Sequence, residues 1–231
     1  MSRSARITAI AVAALAVATA LELGVASSGD RSGCEPKRSR TVIETDDARV
    51  FTRQVPRHVR RSDPTRGTPR MYGCWFDHGQ PYLLRSRAVA DDARVQLAGR
   101  YVAYPWYGRD QTHPSYGRDD SVKLRVFDLR RGRLLRTAAS YPSAETFFIE
   151  SFVVNDRGSV AWIVLKSSQN PDVASRSVNR WDSNGLAQLD EDDRIYLDSL
   201  AIRTDSNFSD RDLIYWLLSG GAGEPRWAYL D

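Results

Sequence analysis

The chain contains 231 residues, and its 33 basic side chains nearly balance 29 acidic ones, which gives a formal net charge of +4. Basic residues alternate with Asp and Glu along the whole chain instead of gathering in one stretch. Because nucleic-acid-binding proteins concentrate positive charge on one face, this distribution argues against a nucleic-acid partner. Almost all of the basic residues are arginine, which most simply reflects a GC-rich genome.

The N-terminal segment is typical of a secretory signal peptide. Ser2–Arg6 is a short basic stretch, and Ile7–Leu21 is an apolar run that is too short to span a bilayer comfortably. Small residues predict cleavage after Ala20 or Ala26. We therefore expect residues 1–26 to be a signal peptide and the mature chain to be secreted or associated with the cell envelope, without a stable membrane span. An uncleaved anchor is the alternative.

The cysteine content also indicates an oxidising compartment. Cys34 and Cys74 are the two cysteines of the chain, and an even pair behind a signal peptide predicts one disulfide. Ser32–Cys34 is half of a lipobox, but Arg31 occupies the position that needs an apolar residue, so lipidation is the weaker alternative. The chain contains no CxxC motif and its three histidines are scattered, so we predict neither a metal site nor a cofactor.

After residues 27–40, which have the composition of a disordered linker, the pattern is that of β-strands. Hairpins are predicted at Gly99-Arg100 and at several later turns, because two-residue loops containing Gly join antiparallel strands. Four strand patterns end in Asp. In three of them the Asp enters a turn that contains or leads to Gly, and in the fourth it is the last residue of the chain; successive aspartates are 51, 54 and 49 residues apart. These aspartates are Asp77, Asp128, Asp182 and Asp231. Such spacing is typical of a stacked or radial repeat.

A second recurring feature is an apolar-small-aromatic strand. Val102–Tyr104 aligns with Val160–Trp162 and, more loosely, with Ile214–Trp216. Each copy is predicted to contain four short antiparallel strands, and only residues 90–93 look like a helical turn.

Together, the Asp corners and strand aromatics of residues 41–231 resemble the WD-repeat and TolB-like short-repeat β-propellers. The resemblance implies a single all-β domain, a propeller-like array of about four antiparallel four-stranded units. The array either contains all four strands of the last unit or lacks its outermost strand. Only Trp181-Asp182 provides the Trp-Asp pair of WD repeats. Ring closure would use Thr41–Glu44 as the outermost strand of the last unit. A β-sandwich is the alternative fold.

The candidate ligand-binding residues lie in the longest insertion, between Tyr104 and Ser121. Loops on a rigid β scaffold concentrate binding residues, and this one combines flat aromatic faces with planar guanidinium donors. That mixture suits a glycan, a small acidic ligand or a protein partner; a solvated turn whose arginines pair with neighbouring aspartates is the alternative. The candidates are Trp106, Tyr107, Arg109, Tyr116 and Arg118.

No catalytic motif is evident. Gly-x-Ser-x-Gly is absent, and Asp77, Asp128 and Asp182 are interpreted as turn-forming residues instead of catalytic acids. The acidic run Asp190–Asp193 is interpreted as a solvated turn, because consecutive carboxylates do not converge on one calcium ion. We therefore expect a non-enzymatic, extracytoplasmic binding or interaction module. The alternatives are a carboxylate-dependent, glycosidase-like hydrolase and a chain that assembles with another one.

Overall fold

The computed structural model describes residues 31–54, 69–85, 94–107, 122–141, 147–167, 175–204, 211–219 and 224–231. Within these ranges the chain is all-β, as predicted, with fifteen strands and short 3-10 turns. No helix of this part of the chain is long and apolar enough to cross a membrane. The predicted signal peptide and the helix-like turn at residues 90–93 lie outside the described residues.

The fifteen strands form four antiparallel sheets, and within each sheet the strands follow chain order. Sheet 1 contains β1 (Ser39–Glu44), β2 (Ala48–Gln54), β3 (Pro69–Trp75) and β4 (Gln80–Arg85). Sheet 2 contains β5 (Gln96–Ala98), β6 (Tyr101–Tyr107), β7 (Val122–Asp128) and β8 (Arg133–Tyr141). Sheet 3 contains β9 (Phe147–Val154), β10 (Val160–Lys166), β11 (Ser175–Asp182) and β12 (Gly185–Glu191). Sheet 4 contains β13 (Ala201–Thr204), β14 (Asp212–Leu217) and β15 (Pro225–Leu230).

The motifs that recur along the sequence occupy equivalent strands in successive sheets. Val102–Tyr104, Val160–Trp162 and Ile214–Trp216 all lie in the second strand of their sheet, on β6, β10 and β14. The four corner aspartates all lie at or just after the end of a third strand. The predicted four-strand unit is therefore confirmed for sheets 1 to 3, and the described part of sheet 4 has three strands.

The sheets pack on one another in chain order, and the two middle sheets, sheets 2 and 3, each bury both of their faces. On β6, Val102 and Tyr104 pack against sheet 1, whereas Tyr101 and Ala103 pack against sheet 3. A third cluster joins sheets 3 and 4, with Ile163 on one side and Trp216 on the other. Alternating side chains thus serve two cores, which is why the strands are apolar on both faces.

The ring closure predicted for Thr41–Glu44 is not found. These residues belong to β1, which pairs antiparallel with β2; in this pairing Thr41 lies opposite Phe51 and Glu44 opposite Arg49. Among the described strands, none joins β1 to β15, and no sheet closes. A hairpin with a three-residue turn costs little loop-closure entropy, so the local partner is favoured over one at the far end of the chain.

The disulfide Cys34–Cys74 is confirmed. Its two Cα atoms are 5.6 Å apart, and both cysteines are fully buried beside Phe51 and Phe76. The bridge fixes the 3-10 turn Arg31–Cys34 on the outer face of sheet 1. Part of the segment predicted to be a linker, from Arg31 onward, therefore contains this turn and the start of β1.

Candidate functional site

Two of the five predicted ligand-binding residues lie on a described strand. Trp106 and Tyr107 are the last two residues of β6, and the backbone of Tyr107 pairs with Val122 at the start of β7. The other candidates, Arg109, Tyr116 and Arg118, lie outside the described residues. The described part of the predicted site therefore lies around Trp106.

Two cations of β7 contact the indole ring of Trp106. Lys123 lies directly opposite Trp106 in the β6–β7 ladder, and Arg125 lies opposite Tyr104, so all four side chains share one face of sheet 2. The Nζ atom of Lys123 is 4.9 Å from the centre of the indole ring, and the Cζ atom of Arg125 is 4.3 Å from it. These distances are those of cation–π contacts.

A buried phenol extends the site towards sheet 1. The Tyr104 hydroxyl donates a hydrogen bond to the Leu84 carbonyl at 3.0 Å. Burial raises the pKa of Tyr104, while the positive charges of Arg125 and Arg85 act in the opposite direction. Arg85 ends β4, so the site joins two sheets. We call this set the basic cluster; its members are Arg85, Tyr104, Trp106, Lys123 and Arg125.

Carboxylate binding is the chemistry that this arrangement favours. The Arg125 guanidinium is held by the Trp106 ring and by a hydrogen bond to the Tyr104 hydroxyl. Its Nε atom is buried and has no hydrogen-bond partner among the residues that the structure describes. A guanidinium whose orientation is already fixed loses little side-chain entropy when its planar donor edge meets a carboxylate.

Of the basic cluster, Trp106 alone was among the candidates predicted from the sequence. The other four members were not predicted; they are Arg85, Tyr104, Lys123 and Arg125. The two residues on β7 had a local signal, because Lys123 and Arg125 alternate with Val and Leu and therefore share one face of a strand. Arg85 had no such signal, since its proximity to Tyr104 depends on how sheets 1 and 2 pack.

The described corner aspartates form turns, as predicted. Asp128 accepts a hydrogen bond from the Arg131 amide at 3.1 Å, and Asp182 accepts one from the Asn184 amide at 2.9 Å. Both carboxylates are buried, and both lie near arginine side chains. Asp77 lies in an exposed 3-10 turn after β3.

A second cleft, of about 320 Å³, lies where β5, β9 and β13 approach one another. Its buried carboxylate, Asp212, accepts a hydrogen bond from Asn155 at 2.9 Å and lies 3.8 Å from the Arg157 guanidinium. Asn155 in turn accepts the backbone amide of Ser159 at 2.9 Å. The polar groups of this cleft are therefore engaged with one another.

The acidic run Asp190–Asp193, which begins at the end of β12, is also engaged internally. Asp190 accepts a hydrogen bond from the Trp216 indole at 2.8 Å. Asp192 accepts the Arg194 amide at 2.8 Å, and the side-chain and backbone hydrogen bonds of Arg194 hold the pKa of this carboxyl well below its usual range. Within the part of the chain that the structure describes, no three His, Cys, Asp or Glu side chains are grouped as metal ligands.

Comparison of the chain with protein-family models, with curated proteins and with solved structures found no match.

Proposed function

We propose that this protein is an extracytoplasmic, non-enzymatic binding module whose ligand is a small acidic molecule. The observation that supports this function is the convergence of three basic side chains around Trp106 and Tyr104 at one end of sheets 1 and 2.

The electrostatics of the basic cluster favour an anion over a neutral ligand. Arg85, Lys123 and Arg125 are all half-buried, so their charges are screened less than those of fully exposed side chains. An incoming carboxylate would meet the planar donor edge of the Arg125 guanidinium, while Arg85 and Lys123 add positive potential around it. The indole ring keeps the guanidinium in place before the ligand arrives.

An extracytoplasmic location agrees with the disulfide and with the sequence of residues 1–26. A buried disulfide persists in oxidising compartments, and the apolar run Ile7–Leu21 is typical of an export signal. We infer that the scaffold is propeller-like, because the first strands of successive sheets adjoin: β1 contacts β5, β5 contacts β9, and β9 contacts β13. This is the arrangement of innermost strands around an axis.

Calorimetric titration with carboxylates tests this function. We would titrate the mature chain with succinate, citrate and glucuronate, and with the neutral amide of each. Arg125→Gln should weaken carboxylate binding by about tenfold or more, because it removes a charged donor without changing side-chain length greatly. Trp106→Ala should weaken it as well, since the guanidinium loses its support.

A matched control is Arg133→Gln, which removes an exposed arginine at the opposite end of sheet 2. Its affinity should equal that of the parent chain. Binding of the amides as tightly as the acids, or equal losses in the Arg125→Gln and Arg133→Gln variants, would contradict the proposed function.

A further inference from the structure

The outward face of sheet 4 is apolar and partly exposed. On β14, Ile214 and Trp216 point towards sheet 3 and are buried, whereas Leu213 and Tyr215 alternate with them and point away. In sheets 1 to 3, the corresponding face is covered by the next sheet in the chain. Among the described residues, no element covers it in sheet 4.

Four residues of this face line a shallow cleft, in which Trp227 is exposed and Leu213, Tyr215 and Tyr229 are half-buried. Trp227 lies directly opposite Tyr215, and Tyr229 lies directly opposite Leu213, so the four side chains form two adjacent rows across β14 and β15. They line a cleft of about 240 Å³. The Trp227 side chain is 59% exposed, and its ring meets the Tyr229 ring edge to face, with centroids 5.8 Å apart. An exposed patch of large aromatic side chains marks a binding surface.

Positive charge borders the cleft at one end. Arg203 on β13 lies directly opposite Leu213, is exposed, and has no ion-pair partner among the described residues. The Arg211 guanidinium lies 5.4 Å from the centre of the Tyr229 ring. It also pairs with Asp231, at 3.3 Å, so Arg203 is the cation available to a ligand.

We propose that this face binds an acidic glycan, a chain of uronic-acid residues. Sugar rings present C–H groups that stack on Trp and Tyr, while the polar edges of these aromatics hydrogen-bond to hydroxyls. The carboxylate of a neighbouring sugar unit pairs with Arg203, which supplies the charge complementarity. A second copy of the chain is a poorer occupant, because the lining of its own cleft consists of Leu, Tyr and Trp side chains and offers no carboxylate to Arg203.

This site is independent of the basic cluster, and the test separates the two. Tetragalacturonate and its neutral, fully methyl-esterified form would be titrated into the Arg125→Gln chain, in which the basic cluster is disabled. We expect tetragalacturonate to bind and the ester to bind about tenfold more weakly. In this background, Trp227→Ala should weaken tetragalacturonate binding by about tenfold or more, and Arg203→Gln should remove most of its salt dependence.

Because Trp227 is mostly exposed, its replacement should leave the fold intact, and thermal unfolding provides the check. The matched control is Leu83→Ala, which removes an apolar side chain of sheet 1 that is 48% exposed. Equal affinities of the parent and Trp227→Ala chains would overturn the proposal, and so would equal binding of the acid and the ester. Sedimentation would overturn the proposal as well if the sole effect of Trp227→Ala were to convert a dimer to a monomer. That result would assign the face to self-association.

Discussion

Removal of the disulfide should destabilise the fold by about 4 kcal/mol. The bridge joins residues separated by 40 positions, and the entropy of closing a loop of that length in the unfolded chain corresponds to about 4 kcal/mol at 25 °C. Replacement of both cysteines by alanine should reproduce this loss and add a smaller one, because both sulfur atoms are buried beside Phe51 and Phe76.

The loss should also be local. Apart from the bridge, the contacts that hold the turn Arg31–Cys34 include a hydrogen bond from the Arg49 guanidinium to the Cys34 carbonyl, at 3.1 Å, and one from the Arg31 guanidinium to the Asp46 carbonyl, at 3.2 Å. The Arg31 cation also lies 4.6 Å from the centre of the Phe76 ring. These contacts are too few to keep the turn on sheet 1. Hydrogen exchange in residues 31–44 should therefore accelerate more than exchange in sheets 2 to 4.

Urea unfolding of the oxidised chain, the reduced chain and the double alanine variant measures the effect. With a slope of about 2.5 kcal/mol/M, a loss of about 4 kcal/mol lowers the midpoint by roughly 1.6 M. The reduced chain and the double alanine variant should agree to within about 1 kcal/mol, since each removes the same cross-link. A midpoint change corresponding to less than about 1 kcal/mol would refute the loop-entropy reasoning.

Three further variants test the packing. Asp182→Ala should lower the free energy of unfolding by about 3 kcal/mol, because it removes a buried carboxylate that pairs with the half-buried Arg180 at 2.8 Å and accepts the Asn184 amide at 2.9 Å. Chemical denaturation measures this. Gly132→Ala should lower the free energy of unfolding by at least about 1 kcal/mol more than Gly99→Ala. Both glycines have positive φ (61° and 50°), but only at Gly132 would the new Cβ lie 2.3 Å from a tyrosine ring of β4. Equal losses in the two variants would show that sheets 1 and 2 do not pack there. Burial raises the pKa of Tyr141, so stability should be retained below about pH 10 and fall as the pH rises further. Tyr141→Phe should make this decrease less steep. The free energy of unfolding measured from pH 9 to 11 gives the slope.

The strands and turns could be predicted because their signals are local. Gly99 and Gly132 adopt positive φ in the turns where glycine was expected to mark a hairpin. The alignment of Val102–Tyr104 with Val160–Trp162 identified equivalent strands, because a strand buried on both faces has a recognisable composition.

The relations between sheets could not be predicted in the same way. Asn155 and Asp212 are 57 residues apart in the chain, and their hydrogen bond depends on how sheet 3 meets sheet 4. The failed ring closure has the same origin: Thr41–Glu44 had a strand pattern, but the pattern does not specify the partner. Arg85 was not predicted as a member of the basic cluster, because its proximity to Tyr104 depends on how sheets 1 and 2 pack.

The two ends of the sheets differ in how their polar groups are used, and this difference supports the place proposed for the ligand site. Chain-order antiparallel strands place the first-to-second and third-to-fourth connections at one end, where Asp128, Asp182 and Asn155 form turns with their own neighbours. A ligand at that end would have to replace hydrogen bonds that already stabilise the fold. At the opposite end, Trp106 and Arg85 lie at strand termini with a fixed guanidinium between the sheets. Substitutions at the first end should therefore reduce stability, whereas substitutions in the basic cluster should reduce binding.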